Sequence, residues 1–293
     1  MEKRVVFRSS WLPYLLVAPQ IAITVIFFFW PAFQAVFYSF FLQDAFGTQS
    51  QFVGLANFVE LFRSDAYLAS IQVTAVFSTL ATVLGLALAL VLAVAADGVV
   101  RGALAYKTLL IWPYAVASAV AGVLFAFLFA PSVGIISYLL RGMGVDWNWV
   151  LRGEQAMLLV VVATVWKQIS YNFLFFLAGL QAIPRPLLEA AALDGSGPLR
   201  RARDIQLPLL APTFFFLLVI NVTETFVDSF GIVDITTGGG PARATDLMVY
   251  KIYSDGFKGL DYSMAAAQSI VLMALVIGLT FVQFRYVERK VQY

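Results

Sequence analysis

Four stretches of this chain, residues 9–43, 66–96, 108–140 and 262–284, contain no Asp, Glu, Lys or Arg. About 20 apolar helical residues cross the roughly 30 Å hydrocarbon core of a bilayer, so each run is long enough to span. Two more runs, 155–182 and 209–233, are equally apolar but hold charge inside them: Lys167 in the first, Glu224 and Asp228 in the second. Lipid offers backbone N–H and C=O groups no partner, which leaves helices and closed barrels as spanning structures. The runs lack the period-two alternation of barrel strands. The expected fold is therefore all-α: a polytopic membrane protein with six transmembrane helices near 11–40, 69–96, 105–130, 155–182, 209–233 and 264–286, forming one transmembrane domain over 1–293.

Composition supports the lipid setting and removes whole classes of function. The chain is 61% hydrophobic and 12% charged, with mean hydropathy +0.86, against about 45–50% apolar and about 25% charged for soluble domains. It has no cysteine and no histidine, which excludes disulfides, thiol nucleophiles, the usual zinc and haem sites and any Ser-His-Asp set. No G-x-x-x-x-G-K-[ST] run is present, so the chain does not cradle ATP in a P-loop. No catalytic residue, no metal site and no bound cofactor is expected, and a net charge of +2 gives no reason to expect nucleic acid. Lys3, Arg4 and Arg8 resemble the charged start of a signal peptide, but the run that follows far exceeds the usual 7–15 residues, so an uncleaved first helix is expected.

Lys and Arg concentrate in loops on the cytoplasmic side of a membrane protein. With the N-terminus inside, segments 1–10, 97–107, 183–208 and 285–293 hold 12 basic residues, whereas the outer loops 41–68, 131–154 and 234–263 hold 6. Both termini are expected in the cytoplasm. In the first outer loop "FVGLANFVELF" (52–62) is amphipathic; Phe52, Val53, Phe58, Val59 and Phe62 suit either the membrane surface or a packed loop helix. The glycines of "TTGGGPARAT" (236–245) suit a close approach to a partner, with Arg243 toward an acidic rim, or simply a turn.

Charged groups within the bilayer cost free energy and face a wet cavity or a partner. Asn221, Glu224, Thr225 and Asp228 recur at i, i+3, i+4 and i+7, which places them on one helical face. On the preceding span Lys167, Ser170 and Tyr171 share a face, with Gln168 and Asn172 on an adjacent one. Two polar stripes on consecutive helices predict a wet path between them. Lys167, a compact ammonium, either attracts an anionic cargo or pairs with Glu224 or Asp228, and contact with a partner subunit is a third possibility.

The inner loop 183–208 is too long and too ordered in its punctuation for a bare linker. Pro184 and Pro186 suit a helix start. Leu187, Leu188, Ala191 and Ala192 form a small apolar face. Gly195 and Gly197 suit a helix end at positive φ, Pro198 delays any restart, and Pro208 opens the fifth span. The order Glu189-Ala190-Ala191, three residues, Gly195, nine residues, Ile205, one residue, Leu207-Pro208 resembles, with no departure, the EAA loop of ABC-importer permeases. "RSSWLPYLLVAPQ" (8–20), "WKQISYNFLFF" (166–176), "TGGGPARATDLMVYKIY" (237–253) and the closing "AAAQSIVLMALVIGLTFVQFRYVERKVQY" extend the likeness over nearly the whole chain to the carbohydrate-uptake branch, and within it to the first permease subunits of glycerol-phosphate importers.

That resemblance implies a type I ABC-importer permease fold in a bacterial inner membrane. It implies that 183–208 is a coupling loop, with Glu189, Ala190, Ala191, Gly195, Ile205, Leu207 and Pro208 meeting a separate ATPase. The implied partners are a second permease of different sequence, two ATPase subunits that hold the ATP and magnesium, and a periplasmic substrate-binding protein. The implied cargo is sn-glycerol 3-phosphate, with glycerophosphodiesters as a further candidate. Lys167, Gln168, Tyr171, Asn172, Asn221, Glu224, Thr225 and Asp228 are the candidates for its path. A permease for sugars or oligosaccharides, and an ion-coupled carrier using Glu224 and Asp228, are the alternatives.

Overall fold

The computed structural model describes residues 11–44, 49–97 and 103–287. Lys3, Arg4, Arg8, Arg101, Arg289 and Lys290, which weigh in the orientation count, lie outside them. Four described helices are long and apolar enough to cross a membrane: Leu12–Tyr38, Asp65–Asp97, Gly153–Ala182 and Tyr262–Arg285. Two bent pairs, Leu104–Ala115 with Ser118–Leu128 and Pro198–Leu209 with Ala211–Val227, bring the count to six if each is one span. The chain divides into two compact units, 1–63 with 252–271, and 64–251 with 272–293.

In the first unit, α1 (Leu12–Tyr38) buries none of its residues. It is apolar on every side, a pattern suited to lipid as solvent. A short antiparallel hairpin, β1 (Phe41–Gln43) and β2 (Ser50–Phe52), follows in the register Phe41↔Phe52, Leu42↔Gln51 and Gln43↔Ser50; it is a small addition to an otherwise helical fold. The Asn57 amide, on α2 (Ala56–Arg63), donates to the carbonyls of Ser39 and Phe41 at 2.9 and 3.0 Å. Both carbonyls lie beyond the regular helix, where they need a side-chain donor. The 52–62 stretch divides its apolar residues: Phe58 packs on Phe40 and Leu61 is buried, while Phe52, Val59 and Phe62 are exposed.

The second unit contains α3 (Asp65–Asp97), α4 (Ala103–Ile111), α5 (Ser118–Leu128), α6 (Ile135–Gly142), α7 (Gly153–Ala182), α8 (Arg185–Leu193), α9 (Pro198–Leu209), α10 (Ala211–Val227) and α11 (Phe230–Thr236). Its spine is α3 against α7. Phe77, Ala81, Gly85, Ala89 and Ala93 recur every fourth residue and are all buried. The small residues from Ala81 to Ala93 in that stripe let helix backbones approach, and close packing of this kind is a main source of attraction where lipid removes the hydrophobic drive. Phe173, Phe176, Leu177 and Leu180 of α7 fill the other side. A Cβ on Gly85 would lie 3.3 Å from Gln168 Oε1, so the contact admits little more than hydrogen.

The segment expected as one helix near 105–130 is broken. After α4 a single tight turn, Trp112–Ala115, leads to extended Val116 and Ala117, and α5 leaves at 106°. Pro113 is the physical reason: it has no N–H and its ring crowds the preceding turn. The fifth span, expected over 209–233, also ends early. Helix α10 stops at Val227, and α11 begins after Asp228 and Ser229. The Ser229 hydroxyl turns back to the Thr225 carbonyl at 2.9 Å, taking up an acceptor that a continuing helix would use. Pro208 falls within α9, which meets α10 at 68°, and it is Pro212 that occupies the first turn of α10.

Candidate functional site

The two breaks face each other across α7. Between them lies a cavity of about 480 Å³ lined by Tyr114, Ala115, Val116 and Ala117 of the first break, Thr164, Lys167, Gln168 and Tyr171 of α7, and Glu224, Asp228, Ser229 and Ile232 at the second. An interrupted helix can present groups to a water-filled space that an intact one would turn to its own axis. Lys167 donates to Asp228 Oδ2 at 2.7 Å and makes a close contact with the Ser118 hydroxyl. Ser118 in turn donates to the same carboxylate oxygen at 2.8 Å. Lys167 is largely covered, with its side chain 21% exposed, whereas that of Asp228 is 60% exposed. The ammonium is thus the covered side of the pair, and its counter-ion is the side that faces the open space.

An aromatic strip leads away from the charges. Tyr114 stacks on Tyr171 with centroids 5.9 Å apart, Tyr171 meets Phe175 at 4.6 Å, and Phe175 meets Phe216 at 5.3 Å. This strip descends α7 toward the end that carries Ala182. Faces of this kind pack against the C–H edges of a polyol while a hydroxyl rim stays free to hydrogen-bond.

Of the eight path residues read from sequence, the structure brings Lys167, Gln168, Tyr171, Glu224 and Asp228 to the cavity. Asn172, Asn221 and Thr225 are buried elsewhere. Asn172 and Asn221 exchange amide hydrogen bonds at 2.9 and 2.6 Å, and Thr225 shares a 2.6 Å hydrogen bond with Ser78 of α3. The single polar stripe on α10 therefore serves two faces: one holds helices together and one opens to the cavity. Ser118 was not singled out in the sequence because 105–130 read as an unbroken span; a serine five residues after Pro113 is the signal that was available.

The second candidate region is the 183–208 segment. Pro184 caps α8 and Pro186 sits in its first turn. At the other end Gly195, at φ +78, lets its own N–H reach Ala192 O at 3.1 Å and the Ser196 N–H reach Ala191 O at 2.9 Å. Those two bonds form the left-handed helix stop that glycine favours. Gly197 does not share that geometry: its φ is −67 and it begins the next helix, with Pro198 at the first position, so Pro198 starts a helix instead of delaying one. Glu189, Ala190, Gly195, Leu207 and Pro208 are exposed, and Ala191 and Ile205 are partly covered. Leu193 and Leu199 project at 90% and 84% exposure; they flank the turn and were not part of the expected apolar face, of which Leu188 is the half-buried leucine. Beside α8 a cavity of about 730 Å³ is bordered by Asp97, Arg185, Glu189 and Arg201.

The glycine-rich stretch at 236–245 is an ordered loop. Gly238 and Gly239 have φ +54 and +79, and Ala242 and Arg243 also take positive φ. Thr245 donates to Gly240 O at 2.8 Å and meets the Thr237 hydroxyl at 2.6 Å. A Cβ on Gly239 would stand 2.7 Å from the Tyr250 ring, so that position requires glycine for both its conformation and its space.

Comparison with known proteins agrees with this architecture. The sequence matches the family described as "Binding-protein-dependent transport system inner membrane component" over residues 3–293. It is 58% identical to the sn-glycerol-3-phosphate transport system permease protein UgpA of Yersinia enterocolitica over 98% of this chain and 97% of that one. It is 58% identical to the protein of the same name from Rhizobium meliloti, and 57% to that from Brucella abortus, each over 99% of both chains. Its fold matches a chain of a bacterial alginate ABC transporter, crystallised in complex with an alginate pentasaccharide-bound periplasmic protein, at TM-score 0.85 and 23% identity over 96% of each chain. A helical chain with broken spans around a charged cavity, with an exposed capped helix on a neck, and with full-length likeness to these proteins belongs to the family of binding-protein-dependent transport system inner membrane components, the permeases of ABC importers.

Proposed function

We propose that this chain is the membrane-spanning permease subunit of an ATP-driven importer for sn-glycerol 3-phosphate, with glycerophosphodiesters as a second cargo. The observation that carries the reading is 57–58% identity, over nearly all of both chains, to permeases named for that cargo. In this reading residues 1–293 act as one permease domain with both termini in the cytoplasm. It works beside a second permease of different sequence, two ATPase subunits that bind ATP and magnesium, and a periplasmic binding protein. The chain itself binds no cofactor and carries out no covalent step.

The coupling role falls to α8. Glu189 and Ala190 lie on its exposed surface and Gly195 closes its end, so a short capped helix is offered to a cleft on the ATPase, with Leu193 and Leu199 as apolar anchors beside the turn. Ile205, Leu207 and Pro208 hold the neck that joins it to α10. Binding of ATP draws the two ATPases together, α8 follows, and the motion reaches the cavity through α9 and α10. Cargo delivered from the periplasm meets Lys167 with its phosphate, while Glu224 and Asp228 accept hydrogen bonds from the glycerol hydroxyls. Gln168 and Tyr171 line the same space. Asn172, Asn221 and Thr225 keep the helices in register around it. Hydrolysis returns the cavity to face inward, and the aromatic strip leads toward the cytoplasmic end.

The test is uptake of radiolabelled glycerol 3-phosphate by vesicles holding the four kinds of subunit, with and without ATP. ATP-dependent uptake competed by glycerophosphodiesters and not by maltose supports the reading. The strip of Tyr114, Tyr171, Phe175 and Phe216 favours a second reading, a permease for sugars or oligosaccharides, and ATP-dependent uptake of a neutral sugar alone would establish that one instead. The ion-coupled alternative predicts gradient-driven uptake by this chain without ATPase, contrary to its family's dependence on a binding protein.

A further inference from the structure

The charge in the cavity does not balance. Among the described residues its lining carries one cation, Lys167, and two carboxylates, Glu224 and Asp228. The ammonium is already engaged by Asp228 at 2.7 Å and by Ser118, so Glu224 remains as surplus negative charge. Lys167 falls midway along the 30-residue α7, which places the group deep in the bilayer, where ionisable residues face a wet cavity or a partner and not lipid. Yet the Asp228 side chain is 60% exposed, as is Tyr114. One wall of the cavity is therefore not made by the described residues of the unit that holds it. A phosphate monoester carries about −1.5 to −2 charges at neutral pH, and Lys167 cannot hold it alone while two carboxylates stand beside it. Like charges brought together out of bulk water repel strongly unless a cation is added.

We propose that the second permease subunit closes this wall and presents an arginine or lysine at the depth of Lys167, opposite Glu224 and Asp228, so that the phosphate seat is shared between the two permeases. The inference rests on the proposed reading of the chain as one of two permeases in an importer of a phosphorylated polyol. Without cargo the partner's cation balances Glu224. With cargo, phosphate bridges that cation and Lys167, and the carboxylates turn to the hydroxyls. Guanidinium is the better match because its fork meets two phosphate oxygens at once.

The absence of cysteine makes the test direct. Tyr114→Cys, labelled with a maleimide–benzophenone, is assembled into the full complex, purified through the ATPase subunit and illuminated. The expected adduct lies on a membrane-spanning peptide of the second permease, within one helical turn of an Arg or Lys. Replacing that basic residue by Gln is expected to raise the half-saturating concentration for glycerol 3-phosphate tenfold or more, and adding Glu224→Gln on this chain to recover part of the loss. An adduct confined to lipid, to this chain, or to a partner peptide without a basic residue overturns the proposal, as does a basic-residue variant with unchanged half-saturation. Loss of all ATP-driven glycerol 3-phosphate uptake in the unmodified complex would instead refute the importer reading on which it rests, so the two failures are distinguishable.

Discussion

A buried amide pair joins α7 to α10, a half-buried ion pair joins α7 to the break just after α10, and the two respond differently to substitution. Asn172 and Asn221 satisfy each other at 2.6 and 2.9 Å. Asn172→Ala leaves the Asn221 amide short of a partner in a dry contact, at a cost of about 1 kcal/mol for an interhelical hydrogen bond in a membrane protein. Thermal unfolding in detergent is expected to fall by a few degrees, and the double variant Asn172→Ala/Asn221→Ala to lose less than the two single changes added together. For the ion pair, Lys167→Met strands Asp228 and is expected to lower both the yield of assembled complex and the uptake rate. Lys167→Met/Asp228→Asn, which removes both charges, is expected to restore assembly but not uptake. Equal assembly by the single and double variants would show that the pair has no structural share. Lys167, Glu224 and Asp228 were legible in the sequence because charge in an apolar run has few explanations. The division of the polar residues was not, because helical periodicity fixes the face a residue occupies and leaves open which neighbour covers it.

At the scale of elements, α8, the helix proposed to couple to the ATPase, owes its length to its two ends. Gly195 has φ +78 and open space around the position of a Cβ, so Gly195→Ala meets backbone strain alone, about 1–2 kcal/mol for a residue in the left-handed region. Membrane insertion is expected to be unaffected, while the ratio of cargo moved to ATP hydrolysed falls severalfold. Glu189→Ala is expected to act in the same direction through the ATPase contact, and wild-type ratios in both variants would remove α8 from the coupling route. Gly239→Ala carries a second penalty, since its Cβ would stand 2.7 Å from the Tyr250 ring, and should destabilise the complex more than Gly195→Ala does. The helix stop at Gly195 was readable from the glycine and the small helix before it. The bends were not: hydropathy detects the length of an apolar run and is blind to a 106° turn within it, and Pro113 and the serine after it were the local signs.

At the scale of the whole molecule, four of the six apolar runs correspond to helices long enough to span, and the other two fall in bent pairs that span if each pair is one crossing. Length and composition decide this much because the bilayer imposes one thickness and one backbone requirement. The EAA spacing identified the family because its fixed positions recur in a loop that lipid does not constrain. The pairing that leaves Glu224 over became visible only with the fold, since it depends on Lys167 of α7 and Ser118 of α5 meeting Asp228 in the break after α10. Uptake that requires ATP, the binding protein and both permeases is the expected behaviour of the assembly, and vesicles lacking the second permease should transport no glycerol 3-phosphate.

The pairing of Lys167 with Asp228 also bears on the electrical side of transport. A charge that crosses the full membrane potential does work of about 2.3 kcal/mol per 100 mV. An ammonium and a carboxylate held 2.7 Å apart shift as a dipole with no net charge, so a rearrangement that carries both leaves the voltage nearly untouched. With Glu224 balanced by the cation proposed on the second permease, the idle turnover of such an assembly should run at the same rate in polarised and depolarised vesicles, insulated from the field that the rest of the membrane maintains.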